Sequence, residues 1–333
     1  MKLSLDQIKE ITIGAIRIET QDDGIHFYKC TQKQIDAWMQ KSATLGERAT
    51  GSTGIRLDFH TTSQSFTAHV AAGKKYELYV NGLLRQQYDA TQTPVINASL
   101  CDPLGDRLAE KRVTLYLPAH NTGGVLKSLE LDDGATVVPH RFDRKILFIG
   151  DSITQGWAAD HDSLSYAQRV SRFFNADSVI QGIGGAYYLA DSFDHLPYDP
   201  DIVVVAYGTN DFGHYQTQEA FREQVTAHLG LLAKEYAGKQ FFVLSPIWRG
   251  KRDGKAMGSF QECRQIVIDT AKQYGLTHID GLELVPPTPA FFLDDLLHPN
   301  DNGFALYAEN LIERLLEYII KIKSTSQMER SAP

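Results

Sequence analysis

Residues 145–156 read Lys-Ile-Leu-Phe-Ile-Gly-Asp-Ser-Ile-Thr-Gln-Gly, an unbroken apolar run that ends in a small, polar, turn-forming segment. A strand with no polar alternation is buried on both faces, which marks a parallel sheet covered by helices. The same pattern returns at DSVIQ (177–181), DIVVVAY (201–207), FFVLSP (241–246) and THID (277–280). Amphipathic stretches lie between and after these runs, near Leu164–Phe174, Gln218–Tyr236, Phe260–Tyr274 and Asp301–Lys321. Alternating strands and helices of this kind specify an α/β unit.

Upstream the grammar differs. Short β-branched or alternating runs over Ile11–Thr20, Ile55–Thr61, Ser65–Ala71, Tyr76–Val80, Arg112–Leu117 and Ala135–His140 are separated by turn residues, as in an all-β sandwich or jelly roll. Asn81-Gly82 between two such runs predicts a tight hairpin, and Thr31 is placed to cap one helix over Gln32–Lys41. The basic stretch 140–145 reads as a solvated junction. We therefore expect a β-sandwich over residues 1–141, the α/β unit over 142–323 and a flexible tail over 324–333. A length of 333 residues, about twice a common domain, agrees with two domains.

Thirty-three Lys and Arg against 41 Asp and Glu give a net charge of −8, which argues against a nucleic-acid partner, because phosphate-backbone binding relies on clustered cations. Cys30, Cys101 and Cys263 form no CxxC pair, so neither a disulfide framework nor a cysteine zinc site is encoded. The 11 histidines show no HExxH or HxH spacing, and no metal is expected. No apolar run reaches the ~18 residues that cross a bilayer, and charges interrupt the first 14 residues, so we expect no membrane association and a cytoplasmic location. A homo-oligomer is left open.

The chemistry-bearing residues sit where the strands end. Ser152, in GDSITQG, follows the first strand at the edge where open α/β sheets present their sites; the same turn also reads as a plain helix cap. It is not the GxSxG elbow of α/β-hydrolases. A serine hydroxyl needs a base, and the late segment Asp294-Asp295-Leu296-Leu297-His298-Pro299-Asn300 offers His298 with a carboxylate three residues earlier. Asp295 at that spacing can reach back to the ring, whereas Asp294 is the rival expected to face solvent. Two further strand ends, Gly182-Ile183-Gly184-Gly185-Ala186 and Gly208-Thr209-Asn210-Asp211, supply bare backbone N–H groups and a side-chain amide for a developing oxyanion. The first of these lacks the third glycine of a dinucleotide loop, and no phosphate loop is present, so no nucleotide cofactor is expected.

These four segments, in this order, resemble the SGNH hydrolases, also called GDSL esterases and lipases, over roughly residues 145–320. The resemblance implies a three-layer α/β/α sandwich, a Ser152, Asp295 and His298 triad, and an oxyanion hole from the N–H of Ser152, the N–H of Gly185 and the side chain of Asn210. The glycine segment departs from the family pattern in having Gln181 or Gly182 where an asparagine is usual, which leaves Gly184 beside Gly185 as donor. An all-β domain ahead of such a unit is similar to two-domain carbohydrate acetylesterases. No cofactor is implied. Trp157, Tyr187, Trp248 and Arg249 lie on loops expected at the rim, where they either bind a sugar or pack as ordinary loop residues. The implied substrate is an acylated small molecule or oligosaccharide carrying a short acyl group. The alternatives are an acyl-thioester or lysophospholipid hydrolase, a transferase sharing the acyl-enzyme, and an inert carbohydrate-binding protein.

Overall fold

The computed structural model describes residues 1–330 except 73–74, 91–92, 102–108, 121 and 254, with backbone only for 320–330. Its C-terminal half is built on a five-stranded parallel sheet in the spatial order Ala176–Gly182, Arg144–Gly150, Ile202–Ala206, Gln240–Leu244, Thr277–Ile279. Strand alternation divides the core in two. Ile146 and Phe148 enter one hydrophobic layer with Tyr166, Val170, Phe304 and Tyr307, while Leu147 and Ile149 enter the other with Phe221, Val225, Cys263 and Val267. Helices Tyr166–Phe173 and Asp301–Arg330 thus cover one face, and Gln218–Glu235 and Phe260–Gln273 the other. The helix from Asp301 runs through 324–330, where a tail was expected; residues 331–333 lie outside the described residues.

The chain leaves the Arg144–Gly150 strand to one neighbour and later returns to the other. Its carboxyl end is therefore a topological switch point, where loops on both sides diverge and leave a crevice.

The N-terminal half is a sandwich of two antiparallel sheets enclosing a core that includes Phe27, Leu57, Phe59, Phe66, Leu115 and Leu129. The Asn81-Gly82 hairpin forms as expected, with φ of 52° and 78°, between Lys75–Val80 and Leu83–Asp89. Thr31 caps Gln32–Lys41 in a reciprocal box with Gln34. The expected strand Ile11–Thr20 is instead two, Thr12–Ile13 and Arg17–Gln21, in different sheets. The break falls at Gly14, whose φ of 84° and close backbone neighbours at Gly54 and Ser178 exclude a side chain. Helices Leu5–Glu10 and Ala43–Ala49 and strands Gly24–Tyr28, Arg56–Thr61, Ser65–Val70, Val95–Ser99, Lys111–Tyr116 and Val125–Leu131 also belong to this half, and the expected strand Ala135–His140 is reduced to Val138–Pro139.

The two halves are continuous at their join. Cys30, Ile35, Trp38 and Ala49 belong to the same core layer as Tyr187, Leu196 and Tyr207 of the α/β half. Gln34 and Gln181 form a reciprocal, buried amide pair at 3.2 and 2.9 Å, and Gln181 also donates to the Lys29 carbonyl at 2.9 Å. Arg56 donates to the Ala176 carbonyl at 3.0 Å, and His140 bridges His60 and Asn175 at 2.9 Å on each side. Among the described residues no helix is long and apolar enough to cross a membrane.

Candidate active site

Register brings three strand ends together: Gly150 lies opposite Gly182 on one side and Ala206 on the other. The segment after Gly150 turns at once into a one-turn helix, Ser152–Gln155. Asp151 caps it by accepting from the Ile153 N–H at 2.9 Å, and Gly156 closes it in the left-handed conformation. Ser152 is the first residue of that turn, so its own N–H has no intrahelical partner. Asp151 is fully enclosed, and burial pushes its carboxyl up to about 7. The turn also sits against the neighbouring strand so closely that a Cβ at Gly182 would lie 2.3 Å from the Gln155 nitrogen.

Ser152 Oγ lies 2.9 Å from His298 Nε2, and His298 Nδ1 lies 2.6 Å from Asp295 Oδ2. The other Asp295 oxygen accepts the N–H groups of Leu297 at 2.9 Å and His298 at 3.0 Å. Burial works to raise this carboxyl, but the bonds from the His298 ring and the two backbone N–H groups outweigh it and hold Asp295 below the usual carboxylate range. Asp294 is exposed, as expected of the rival. The loop is held at both ends: Leu293 N–H donates to the His298 carbonyl at 2.9 Å, and Asn300 caps the final helix by accepting from Gly303 N–H at 3.0 Å.

The Gly185 and Asn210 segments meet. Asn210 Nδ2 donates to the Ala186 carbonyl at 2.8 Å, which uses one amide proton, and among the described residues nothing accepts the other. Gly185 has φ 87°, and among the described residues no hydrogen bond uses its N–H. Asp211, next to Asn210, accepts from Tyr188 N–H at 2.8 Å and Gly208 N–H at 2.9 Å, stapling the two loops, and its enclosure pushes its carboxyl up to about 7. A nucleophile, a base, an orienting carboxylate and unengaged N–H donors at one sheet edge can perform acyl transfer through a covalent intermediate. No group of three or more His, Cys, Asp or Glu among the described residues is placed to hold a metal ion.

The four rim residues divide. Trp157 is 38% exposed, edge-on to His120 and under the Arg48 guanidinium at 5.0 Å, and it lines a groove of about 570 Å³ with Tyr76, Glu77, Tyr88, His120 and Asp162. Tyr187 is instead buried, stacked on His214 at 3.7 Å and edge-on to Trp38, because the Gln32–Lys41 helix of the N-terminal half covers that side. Arg249 donates to the Thr209 carbonyl at 2.6 Å and lies over the Phe212 and Phe260 rings. Trp248 packs on Phe292 at 4.9 Å, and Gly250 N–H donates to the Leu296 carbonyl at 2.7 Å. The 248–250 loop thus braces the asparagine loop against the histidine loop. Asp211 and Arg48 carry no signal of their own in the sequence. The first lies beside a residue that does, whereas the partners of Arg48 are distant along the chain.

The class of domain this fold and site define is that of the GDSL-type hydrolases. Residues 148–306 match the model of the GDSL-like lipase/acylhydrolase family. No curated protein matches the chain by sequence. Among solved structures, a salicylyl-acyltransferase from a tetracycline biosynthetic pathway is 17% identical over 90% of this chain and 92% of its own, with a TM-score of 0.74. A family two carbohydrate esterase from Clostridium thermocellum, solved with cellohexaose, is 16% identical over 92% and 99%, TM-score 0.66. An acetyl xylan esterase from Butyrivibrio proteoclasticus is 17% identical over 81% and 91%, TM-score 0.59. At these identities the likeness is one of fold, and it extends to the N-terminal β-rich half.

Proposed function

We propose that the protein is a serine esterase that removes short acyl groups, acetyl foremost, from carbohydrates. The observation that carries the reading is the hydrogen-bonded series Ser152, His298 and Asp295 at the carboxyl edge of the parallel sheet. His298 Nε2 takes the Ser152 hydroxyl proton as Oγ attacks the ester carbonyl. The N–H groups of Ser152 and Gly185 and the free proton of the Asn210 amide receive the oxyanion. Collapse expels the sugar oxygen, which His298 protonates, and leaves an acyl-serine. Water deprotonated by the same ring then attacks, and the acid departs. Asp295 keeps the proton on Nδ1 and stabilises the imidazolium.

The groove beside Trp157 supports an oligosaccharide, since it sets the partly exposed Trp157 ring beside the exposed carboxylates of Asp89 and Asp160, which suit hydroxyl partners. Crowding at Gly185 supports a small acyl group: a Cβ there would already meet Arg48 Nη1 at 3.3 Å and Leu45 Cδ2 at 3.4 Å. Three free thiols suit a reducing compartment, and the reading places the enzyme in the cytoplasm. The test is acetate release from acetylated mono- and oligosaccharides, with Ser152→Ala as control. A variant that keeps its turnover removes the proposed nucleophile, and a preference for p-nitrophenyl octanoate over acetate removes the short-acyl reading. Likeness to an acyltransferase favours a second reading, transfer to a sugar hydroxyl instead of water. Product analysis with and without an added sugar acceptor separates the two.

A further inference from the structure

Gly185 has no side chain by which to hold its peptide in place, and its φ of 87° lies in the left-handed region. The N–H that would receive an oxyanion belongs to the same planar unit as the Gly184 carbonyl. That carbonyl accepts a 2.8 Å hydrogen bond from Arg48 Nη1, a residue 136 positions earlier on the Ala43–Ala49 helix of the N-terminal half. It is the one hydrogen bond to Gly184 O among the described residues.

A cation bonded to a peptide oxygen does two things. It fixes the plane of the unit, and so the direction of the N–H on its far side. It also draws electron density onto the oxygen, which makes the N–H a stronger donor through the cooperativity of linked hydrogen bonds.

Arg48 is itself held for this task. Its carbonyl accepts from the wholly buried Lys29 ammonium at 3.1 Å and from Gly51 N–H at 3.2 Å, and its guanidinium lies over the Trp157 ring at 5.0 Å. Gly51 and Lys29 thus anchor the arginine's backbone while Trp157 flanks its head. The pose leaves the buried Arg48 Nε without a hydrogen-bond partner among the described residues, a cost that a purely structural arginine on a short surface helix would relax by turning outward.

We propose that Arg48 is a positioning residue for the oxyanion hole, acting through the Gly184–Gly185 peptide, so that the N-terminal domain completes the active site. The inference rests on the reading of Ser152 as nucleophile and Gly185 as donor. A residue that acts on the oxyanion hole affects the charged transition state and not the bound ester. In the full-length protein, Arg48→Met, which keeps length and loses charge and donor, is expected to lower kcat on p-nitrophenyl acetate by roughly 10- to 100-fold, with KM within about twofold. Arg48→Lys recovers part of the loss, and guanidinium at millimolar concentration raises kcat of Arg48→Ala, responses that a packing role does not produce.

A kcat for Arg48→Met within twofold of wild type, or a loss confined to KM, overturns the proposal, as does the absence of both rescues. Should Arg48→Met fail to fold, Arg48→Lys and Arg48→Gln carry the same kcat-against-KM comparison. Ser152→Ala is measured alongside. If it retains turnover, the underlying serine reading fails; if it is dead while Arg48→Met is unimpaired, this inference alone fails.

Discussion

Replacing Asp295 by asparagine should damage the enzyme more than replacing it by alanine, although asparagine is the closer mimic. One carboxylate oxygen accepts two backbone N–H groups, from Leu297 and His298, and the other accepts the ring Nδ1 proton. An asparagine has one oxygen for these two duties. Keeping it on the backbone preserves two hydrogen bonds at the expense of one, an advantage of about 1 kcal/mol at a net worth of ~1 kcal/mol per bond. The amide NH2 then faces Nδ1, which must become an acceptor, and the ring proton moves to Nε2, where it confronts the Ser152 hydroxyl. The base is lost by tautomer as well as by charge, so a fall in kcat of about 10³- to 10⁴-fold is expected. Alanine forces no tautomer. It removes the charge-assisted bond to the ring, about 1.5–3 kcal/mol or roughly 10- to 150-fold in kcat, together with the two backbone bonds, whose loss is read in the thermal midpoint. The assay is kcat on p-nitrophenyl acetate at saturating substrate for both variants, with thermal midpoints to verify folding. An asparagine variant as active as the alanine variant, or more active, refutes the argument.

Asn210→Ala should lower kcat by about 10²- to 10³-fold with little change in KM, since the proposed oxyanion donor and the tie to Ala186 go together; an effect confined to KM would exclude a role in the transition state. Gly182→Ala places a Cβ 2.3 Å from the Gln155 nitrogen and 2.6 Å from its Cα, against backbone that cannot yield without moving the turn that carries the proposed nucleophile. A loss of about 1–3 kcal/mol in stability and on the order of 10²-fold in kcat is expected, read by thermal melts and initial rates. His140 should make the domain junction sensitive to acid. Burial foremost, with Arg112 and His60 nearby, outweighs the bond to Asn175 and the Asp58 charge and holds its ring below the ordinary imidazole value. The unfolded chain therefore takes up this proton first as pH falls, so the contribution is full above about 6.5 and declines below it. The wild-type melting temperature should drop more between pH 7.5 and 5 than that of His140→Gln; parallel curves would remove His140 as the cause.

What the sequence made legible is the part that local pattern encodes. Parallel strands buried on both faces read as apolar runs, and each proposed site residue follows one of them or lies on the loop just before the final helix. The strand Val125–Leu131 escapes a period-two reading because its ladder shifts register between Leu126 and Ser128, so the inward positions Leu126, Leu129 and Leu131 are not evenly spaced. Arg48 reads as a solvated charge on a short helix until its carbonyl partner, distant in sequence, is folded beside it. Trp248 and Arg249 lie on the loop that follows FFVLSP, as the sequence implies, but nothing in the order of residues tells which way a loop side chain turns, and in the structure they brace the neighbouring loops.

The shared core of the two halves bears on how this protein could be cut or recombined. A gene truncated near residue 141 would encode a hydrolase half stripped of Cys30, Ile35, Trp38 and Ala49, exposing Tyr187 and Leu196 to water and leaving the Gln181 amide without Gln34. Such a fragment is expected to express poorly and aggregate. Exchange of the β half for that of a distant relative requires the wall formed by Gln32–Lys41 and Ala43–Ala49 to be transplanted together with its counterpart around Gln181–Tyr188. The unit of inheritance for shuffling is the joint, not the domain.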